Sequence, residues 1–321
     1  MADLHLNQIN YLKKSLKIAI LSYRSAPFGG GQGIYVYELS KALKQLGHQV
    51  DIISGPPYPE LIPGIKLIKL PGLNLFSTFK FRDRLDLFLN KKNKSFDDWY
   101  EFSSALLGGF PELQTFGNRA HSYLLDKTYD VVIDNQSISY GAVKIQDSFP
   151  LVEMMHHPIS KDYYYDLKFA KGILQRISKI RWYSFLKMQK ISAKKINVVV
   201  TPSVNSKADI HIDFKVPMEN MQVIPNGIDC DIFCPLPHIP SKKHRLITTA
   251  SADVPLKGLD FSLEAIARLK PEYPDIHLMV IGSPRKEGHT ERLIKKLELE
   301  KHVSFKTNLT KEEITQEYAQ S

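Results

Sequence analysis

The stretch Pro27-Phe28-Gly29-Gly30-Gly31-Gln32-Gly33 lies between two segments with different hydrophobic periods. Before it, Leu16-Lys17-Ile18-Ala19-Ile20-Leu21-Ser22 is a short apolar run with the length and bulk of a buried parallel strand. After it, Val36, Leu39, Leu43 and Leu46 recur at helical spacing, and Gly47 supplies a helix stop. A tight strand-to-helix turn without Cβ atoms brings free helix N–H groups close to an anion above the sheet. The helix dipole alone favours a phosphate there by ~0.3–1 kcal/mol. The competing reading is a turn that uses glycine for positive φ and binds nothing. No third glycine follows at the offset required by G-x-G-x-x-G, so the loop predicts phosphate contact without specifying a dinucleotide.

Outward from this loop, strands and helices alternate, which predicts an α/β fold with a parallel sheet. Gln49–Ser54, Ile65–Leu70, Asp130–Asp134, Leu151–Met155 and Val198–Val200 read as further strands, the last closing the first domain's series. Residues 73–126 carry helical patches broken at Asn93 and at Gly108-Gly109-Phe110-Pro111. A long basic helical stretch is predicted from about Tyr164 to Lys195. It could lie on anionic lipid, or set one face on the core with its lysines in water. Thr78 to Phe88 is a second candidate of the same kind. Val223-Ile224-Pro225-Asn226-Gly227 turns sharply, and Pro235, Pro237 and Pro240 mark an inter-domain linker. A second series starts at Arg245, with strands at Leu246–Ala250, Ile276–Ile281 and Val303–Phe305. The expected organisation is a first domain over 1–225, a linker over 226–242 and a second domain over 243–321. Three strands are few for a doubly wound domain.

The length of 321 residues fits two such domains, and 43% hydrophobic with 24% charged residues is an ordinary globular composition. No apolar run approaches the ~20 residues of a membrane span. The N-terminus lacks the layout of a signal peptide, so a cytoplasmic location is expected. Cys230 and Cys234, four apart with no well-spaced histidine, read as spectator thiols rather than a zinc site. The net charge of +9 favours anionic partners without choosing among nucleic acid, membrane and phosphorylated substrates.

Three features carry candidate chemistry: the glycine loop, His156 at a strand end, and Lys257-Gly258 opening a helix in the second domain. A lysine beside a helix N-terminus can grip a diphosphate, because ammonium and dipole act on the same anion. The alternatives are a solvated surface lysine and a structural histidine. The motifs of zinc proteases, P-loop proteins and serine hydrolases are absent.

Taken together, several segments resemble the retaining glycosyltransferases of family 4, group 1, which have the GT-B fold. These are P-F-G-G-G-Q-G-I-Y-V-Y-E-L-S-K-A-L, D-N-Q-S-I-S-Y-G, H-H-P, T-P-S-V-N-S, V-I-P-N-G-I-D with F-x-P, and A-S-A-D-V-P-L-K-G-L. The resemblance implies two Rossmann-like domains facing a cleft, the second incomplete. It implies that Gly30 and Gly31 approach the donor β-phosphate and the acceptor side. His156 would bond a hydroxyl of the transferred sugar. Lys257 would hold the diphosphate and stabilise the leaving nucleotide, and Gly282 with Ser283 would lie near the nucleotide. The donor would be a UDP- or GDP-linked hexose and the acceptor a saccharide or a lipid-linked saccharide. No metal or other cofactor would be required. Surface polysaccharide or glycolipid assembly at the inner face of a membrane is the expected setting, with no nucleic-acid partner.

Two departures from the family pattern stand out. Ser251 occupies the place of an arginine six residues before the lysine, and the Glu-x7-Glu segment that normally follows Glu317-Tyr318-Ala319 is absent. On this resemblance the chain is a truncated transferase with little turnover of its own. The alternative is an inactive remnant that binds nucleotide weakly or packs on a partner. A nicotinamide-dependent oxidoreductase and a nucleic-acid binder are more distant readings, the latter because the basic residues are scattered over both domains.

Overall fold

A computed structural model describes residues 15–26, 31–78, 80–170, 172–249 and 257–321. The chain divides into two compact units, one ending at Asn226 and the other running from Gly227 to Ser321.

In the first unit the order of elements is β1 (Lys17–Ser22), α1 (Gly31–Gln45), β2 (Gln49–Ser54), β3 (Lys66–Lys69), α2 (Phe81–Asn90), α3 (Phe96–Leu106), α4 (Glu112–Leu124), β4 (Val131–Asn135) and α5 (Tyr140–Gln146). There follow β5 (Leu151–Met154), α6 (Ser160–Lys168), α7 (Ile173–Trp182), α8 (Leu186–Ala193), β6 (Val199–Thr201), α9 (Val204–Phe214) and β7 (Met221–Val223). The strands form one parallel sheet in the order β3-β2-β1-β4-β5-β6-β7. Successive β1 side chains serve opposite faces. Ile18 and Ile20 pack with Val36 of α1, while Ala19 and Leu21 pack with Phe116 and Ala120 of α4. Both faces are covered, which is why these strands read as unbroken apolar runs rather than alternating ones. The strand order reverses between β1 and β4, and such a switch point opens a crevice beyond the strands' carboxyl ends.

Two features differ from the sequence reading. Val198–Val200 does not close the sheet, because Met221–Val223 adds a seventh strand beside β6. Three residues ahead of Pro225 are too short to show a period. The basic stretch from Tyr164 to Lys195 is not one helix but three. Gly172 at φ 85° separates α6 from α7, and a single 3-10 turn, Tyr183–Phe185, separates α7 from α8. A residue in the left-handed region cannot continue a right-handed helix.

Helix α5 is seated directly on α4. A Cβ on Gly141 would lie 2.1 Å from the Gly117 carbonyl oxygen, so the backbones touch where any side chain would part them. Ser139 caps α5 by accepting from Ala142 N at 3.1 Å. This contact fixes the β4–α5 loop at the crevice.

The second unit contains β8 (Arg245–Thr249), α10 (Leu259–Leu269), β9 (His277–Ile281), α11 (His289–Lys296), β10 (Val303–Lys306) and α12 (Lys311–Ala319). Its described strands form a parallel sheet in the order β10-β9-β8. Leu278, Val280 and Val303 pack with Leu259, Leu263 and Ile266 of α10 and Ile294 of α11. From α12, Glu317 takes Arg245 and Lys306 as ion-pair partners. The proline-containing segment between Gly227 and Arg245 is neither helix nor strand and clusters with this second unit.

Candidate active site

In the first unit, β1 ends at Ser22, whose hydroxyl bonds Ser25 Oγ at 2.5 Å inside the turn. Gly30 lies outside the described residues, as does the loop from Pro27. Gly31 is the first residue of α1, and a Cβ built there meets no atom within 4 Å. At Gly33 a Cβ would fall 2.3 Å from the Ala26 carbonyl oxygen. The two glycines therefore do different work. Gly33 lets the helix close on its own approach, whereas Gly31 leaves the helix N-terminus open above.

His156 follows β5 by two residues, and α1 reaches it directly: the Tyr35 ring meets the imidazole edge-on, with centroids 4.6 Å apart. The first turns of α1 and the histidine are thus brought to one place. Residues from the β4–α5 loop hold His156 in position. Its backbone N–H donates to Gln136 Oε1 at 3.1 Å, and Gln136 Nε2 donates to the His157 carbonyl at 3.2 Å. The imidazole Nε2 lies 3.0 Å from Asn135 Oδ1. With an amide oxygen facing it, Nε2 carries the hydrogen, and Nδ1 keeps the lone pair. Burial lowers the imidazole's pKa to about 4, with the neighbouring His157 charge acting in the same direction. His156 is a neutral acceptor at physiological pH.

This loop is held in an unusual conformation. Gln136 and Ile138 have φ of 63° and 48°, and a left-handed β-branched residue is a strained one. Ile138 is fully buried among Met155, Leu186 and Ile196, which fixes it there. Beneath the loop, Asp134 of β4 and Glu153 of β5 are buried register partners. Burial first, and then the Asp134 charge, raises the Glu153 carboxyl well above its usual range. Ser137 donates to Asp134, and Gln189 of α8 donates to the Ser137 carbonyl at 3.3 Å. Nearer the glycine turn, Arg24 donates to Glu112 Oε2 at 3.0 Å. Burial pushes the Glu112 carboxyl up to about 7 against the pull of Arg24.

In the second unit, Lys257 is exposed, immediately before Gly258, which caps α10 at φ 69°. Gly282, at φ 149°, and Ser283 leave the end of β9. Thr249 of β8 and Ile281 of β9 are in register at the carboxyl edge of the sheet, which Gly282-Ser283 leave directly, while Lys257 stands at the start of α10. Ser251 lies outside the described residues. The sequence reading placed Asn135 and Gln136 at a strand end and within the D-N-Q-S-I-S-Y-G segment, and gave neither them nor Tyr35 a site role. A run of polar side chains directly after a buried strand was the signal available for Asn135 and Gln136.

Comparison with known proteins places this geometry. Residues 29–232 match the family described as Glycosyltransferase Family 4, and residues 237–321 match Glycosyl transferases group 1. An MMP alpha-(1->4)-mannosyltransferase from Mycolicibacterium hassiacum is 39% identical over 303 residues, covering 93% of this chain and 72% of that protein. Among solved structures, a glycosyltransferase from Rickettsia africae superposes with a TM-score of 0.57 at 18% identity, over 96% of this chain and 72% of the other. The catalytic domain of starch synthase IV from Arabidopsis thaliana, bound to ADP and acarbose, gives 0.56 at 16% identity, over 96% and 77%. The fold is α/β of the GT-B type, and the chain belongs to glycosyltransferase family 4, as a transferase of the group 1 class.

Proposed function

We propose that the protein transfers a hexose, mannose by its likeness to the Mycolicibacterium enzyme, from a nucleoside-diphosphate sugar to an acceptor hydroxyl with retention at the anomeric carbon. The 39% identity with a mannosyltransferase carries this reading most directly. In the reaction, the bond between the sugar's anomeric carbon and the diphosphate oxygen breaks. The acceptor oxygen bonds to that carbon on the same face, and the acceptor proton passes to the departing diphosphate. Charge builds on the diphosphate, and an ammonium with helix N–H groups is the complement for it. Lys257 and the start of α10 supply these groups in our reading, in the role a metal ion takes elsewhere. Gly31 would let a phosphate or the acceptor approach the first turn of α1, and neutral His156 would accept from a sugar hydroxyl through Nδ1. The donor nucleoside is uridine or guanosine. The acceptor is a saccharide, free or lipid-linked, of the kind used in surface polysaccharide or glycolipid assembly.

The test is chromatography of reactions holding the purified protein, a panel of UDP- and GDP-hexoses and oligosaccharide acceptors. We expect one nucleoside diphosphate to be released, slowly and in proportion to elongated acceptor, and Lys257→Ala to lower that rate by about a hundredfold, as for other groups that meet developing charge. Equal rates for Lys257→Ala and the unaltered protein would contradict the assignment.

A further inference from the structure

Helix α7 is the least buried helix of the first unit's basic stretch, and its exposed side is apolar. Ile173, Leu174, Ile177 and Ile180 are between 41% and 81% exposed, and no residue of the helix is buried. At 3.6 residues per turn, Ile173, Ile177 and Ile180 fall within roughly 60° of one another on the helix surface. Trp182 falls on the opposite side. It is Trp182 that meets the body of the unit, stacked on Phe110 at 5.1 Å and edge-on to Phe76 at 5.2 Å. Lys179 also faces back, donating to Asp166 at 2.6 Å. The isoleucine stripe consequently faces away from the body.

Basic residues border that stripe. Arg176 lies on one side, and Arg181, beside Leu174, lies on the other, both exposed. The sequence contains no Asp or Glu from Leu167 to Ala208. Phe169 and Tyr164, at and before the end of α6, are exposed as well, as is Leu107, whose neighbour Gly108 adjoins the Arg181 stem. An apolar stripe flanked by arginines, with aromatic rings at its margin, suits the boundary between lipid headgroups and acyl chains. A protein partner would be expected to present acids to these arginines. A continuous sheet of anionic headgroups supplies them without any matching shape. Among the described residues no helix is long and apolar enough to cross a membrane, so the contact would be peripheral.

We infer that α7 is a membrane-docking helix that lays its isoleucine stripe into an anionic lipid surface. This rests on the exposed face of α7 and not on the transfer reaction proposed above.

Co-sedimentation of the full chain with phosphatidylglycerol–phosphatidylcholine vesicles, and with phosphatidylcholine vesicles alone, tests it. Binding is expected to the anionic vesicles only. It should fall at least about tenfold in Ile177→Ser/Ile180→Ser and in Arg176→Glu/Arg181→Glu, since each basic residue near such a surface counts several-fold. Lys295→Glu/Lys296→Glu on α11 makes the same change in net charge and should leave binding within about twofold. All of these residues lie on helix surfaces, and unchanged thermal unfolding of the variants confirms that they fold. The inference is overturned if the chain ignores anionic vesicles, or if the α11 variant loses as much binding as the arginine variant. It is also overturned if the unaltered chain is a dimer that Ile177→Ser/Ile180→Ser dissociates, which would make a second copy the occupant. Nucleotide binding and hexose release measured without vesicles are independent of every one of these outcomes.

Discussion

Asn135 Oδ1 and His156 Nε2 lie 3.0 Å apart across the ends of β4 and β5. The contact sets both the orientation of the imidazole and which of its nitrogens bears the hydrogen. In Asn135→Ala the ring loses that partner, while Gln136 still holds the His156 backbone. A net hydrogen bond is worth about 1 kcal/mol, so kcat/KM is expected to fall about fivefold. A loss confined to stability would show the contact to be structural. A shift in the pH midpoint of His156, followed by NMR, would show that it tunes the ring.

The His156 pKa sits near 4, below its ordinary 6.5, chiefly because the ring is buried. A lowered histidine pKa means that the folded state resists protonation. Its stabilising contribution is complete above pH 6.5 and is lost as pH falls from there through 4. Urea unfolding over this range should show less acid loss in His156→Gln than in the unaltered protein.

Glu112 acts with the opposite sign. Its pKa is raised from 4.5 to about 7 by burial, so the folded state favours the protonated acid. That contribution is complete below pH 4.5 and is lost as pH rises through 7. The stability difference between the unaltered protein and Glu112→Gln should shrink over that window. Between pH 4.5 and 6.5 the slopes from His156 and Glu112 oppose each other, and the Glu112 slope should emerge clearly in the His156→Gln background.

Gly31 and Gly33 should separate binding from folding. Gly33→Ala sets a Cβ against the Ala26 carbonyl and is expected to lower stability by about 1–3 kcal/mol. Gly31→Ala meets open space and should leave the melting temperature within a degree or two. It should still weaken donor or acceptor affinity where a ligand approaches the α1 N-terminus closely. Calorimetric melting and equilibrium binding of both variants check the pair.

Most of the fold was legible because buried parallel strands are short apolar runs between turn residues. β1, β2, β4 and β5 announce themselves in this way. β7 did not, since three residues beside Pro225 carry no period. The basic stretch read as one helix because apolar residues recur among its lysines and arginines with no proline to break the run. Its breaks depend on the conformation of Gly172 and on the packing of Trp182, Tyr183 and Phe185. In the site, the glycine turn and His156 stood out by residue type and position. The Asn135–His156 pairing did not, because it joins residues from neighbouring strands whose adjacency follows only from the sheet order. The exposure of α7 was equally hidden: the same pattern would serve a helix with its apolar face on a core.

Nucleotide protection tests the central claim most directly. Thermal unfolding of the protein is followed with UDP, GDP, ADP and NAD at millimolar concentration. A ligand at a hundred times its Kd adds ~2.7 kcal/mol to the state that binds it, a rise of a few degrees. We expect that rise with UDP or with GDP, and its loss in Lys257→Ala. No shift with either, or a shift with NAD alone, would contradict a nucleoside-diphosphate sugar as donor.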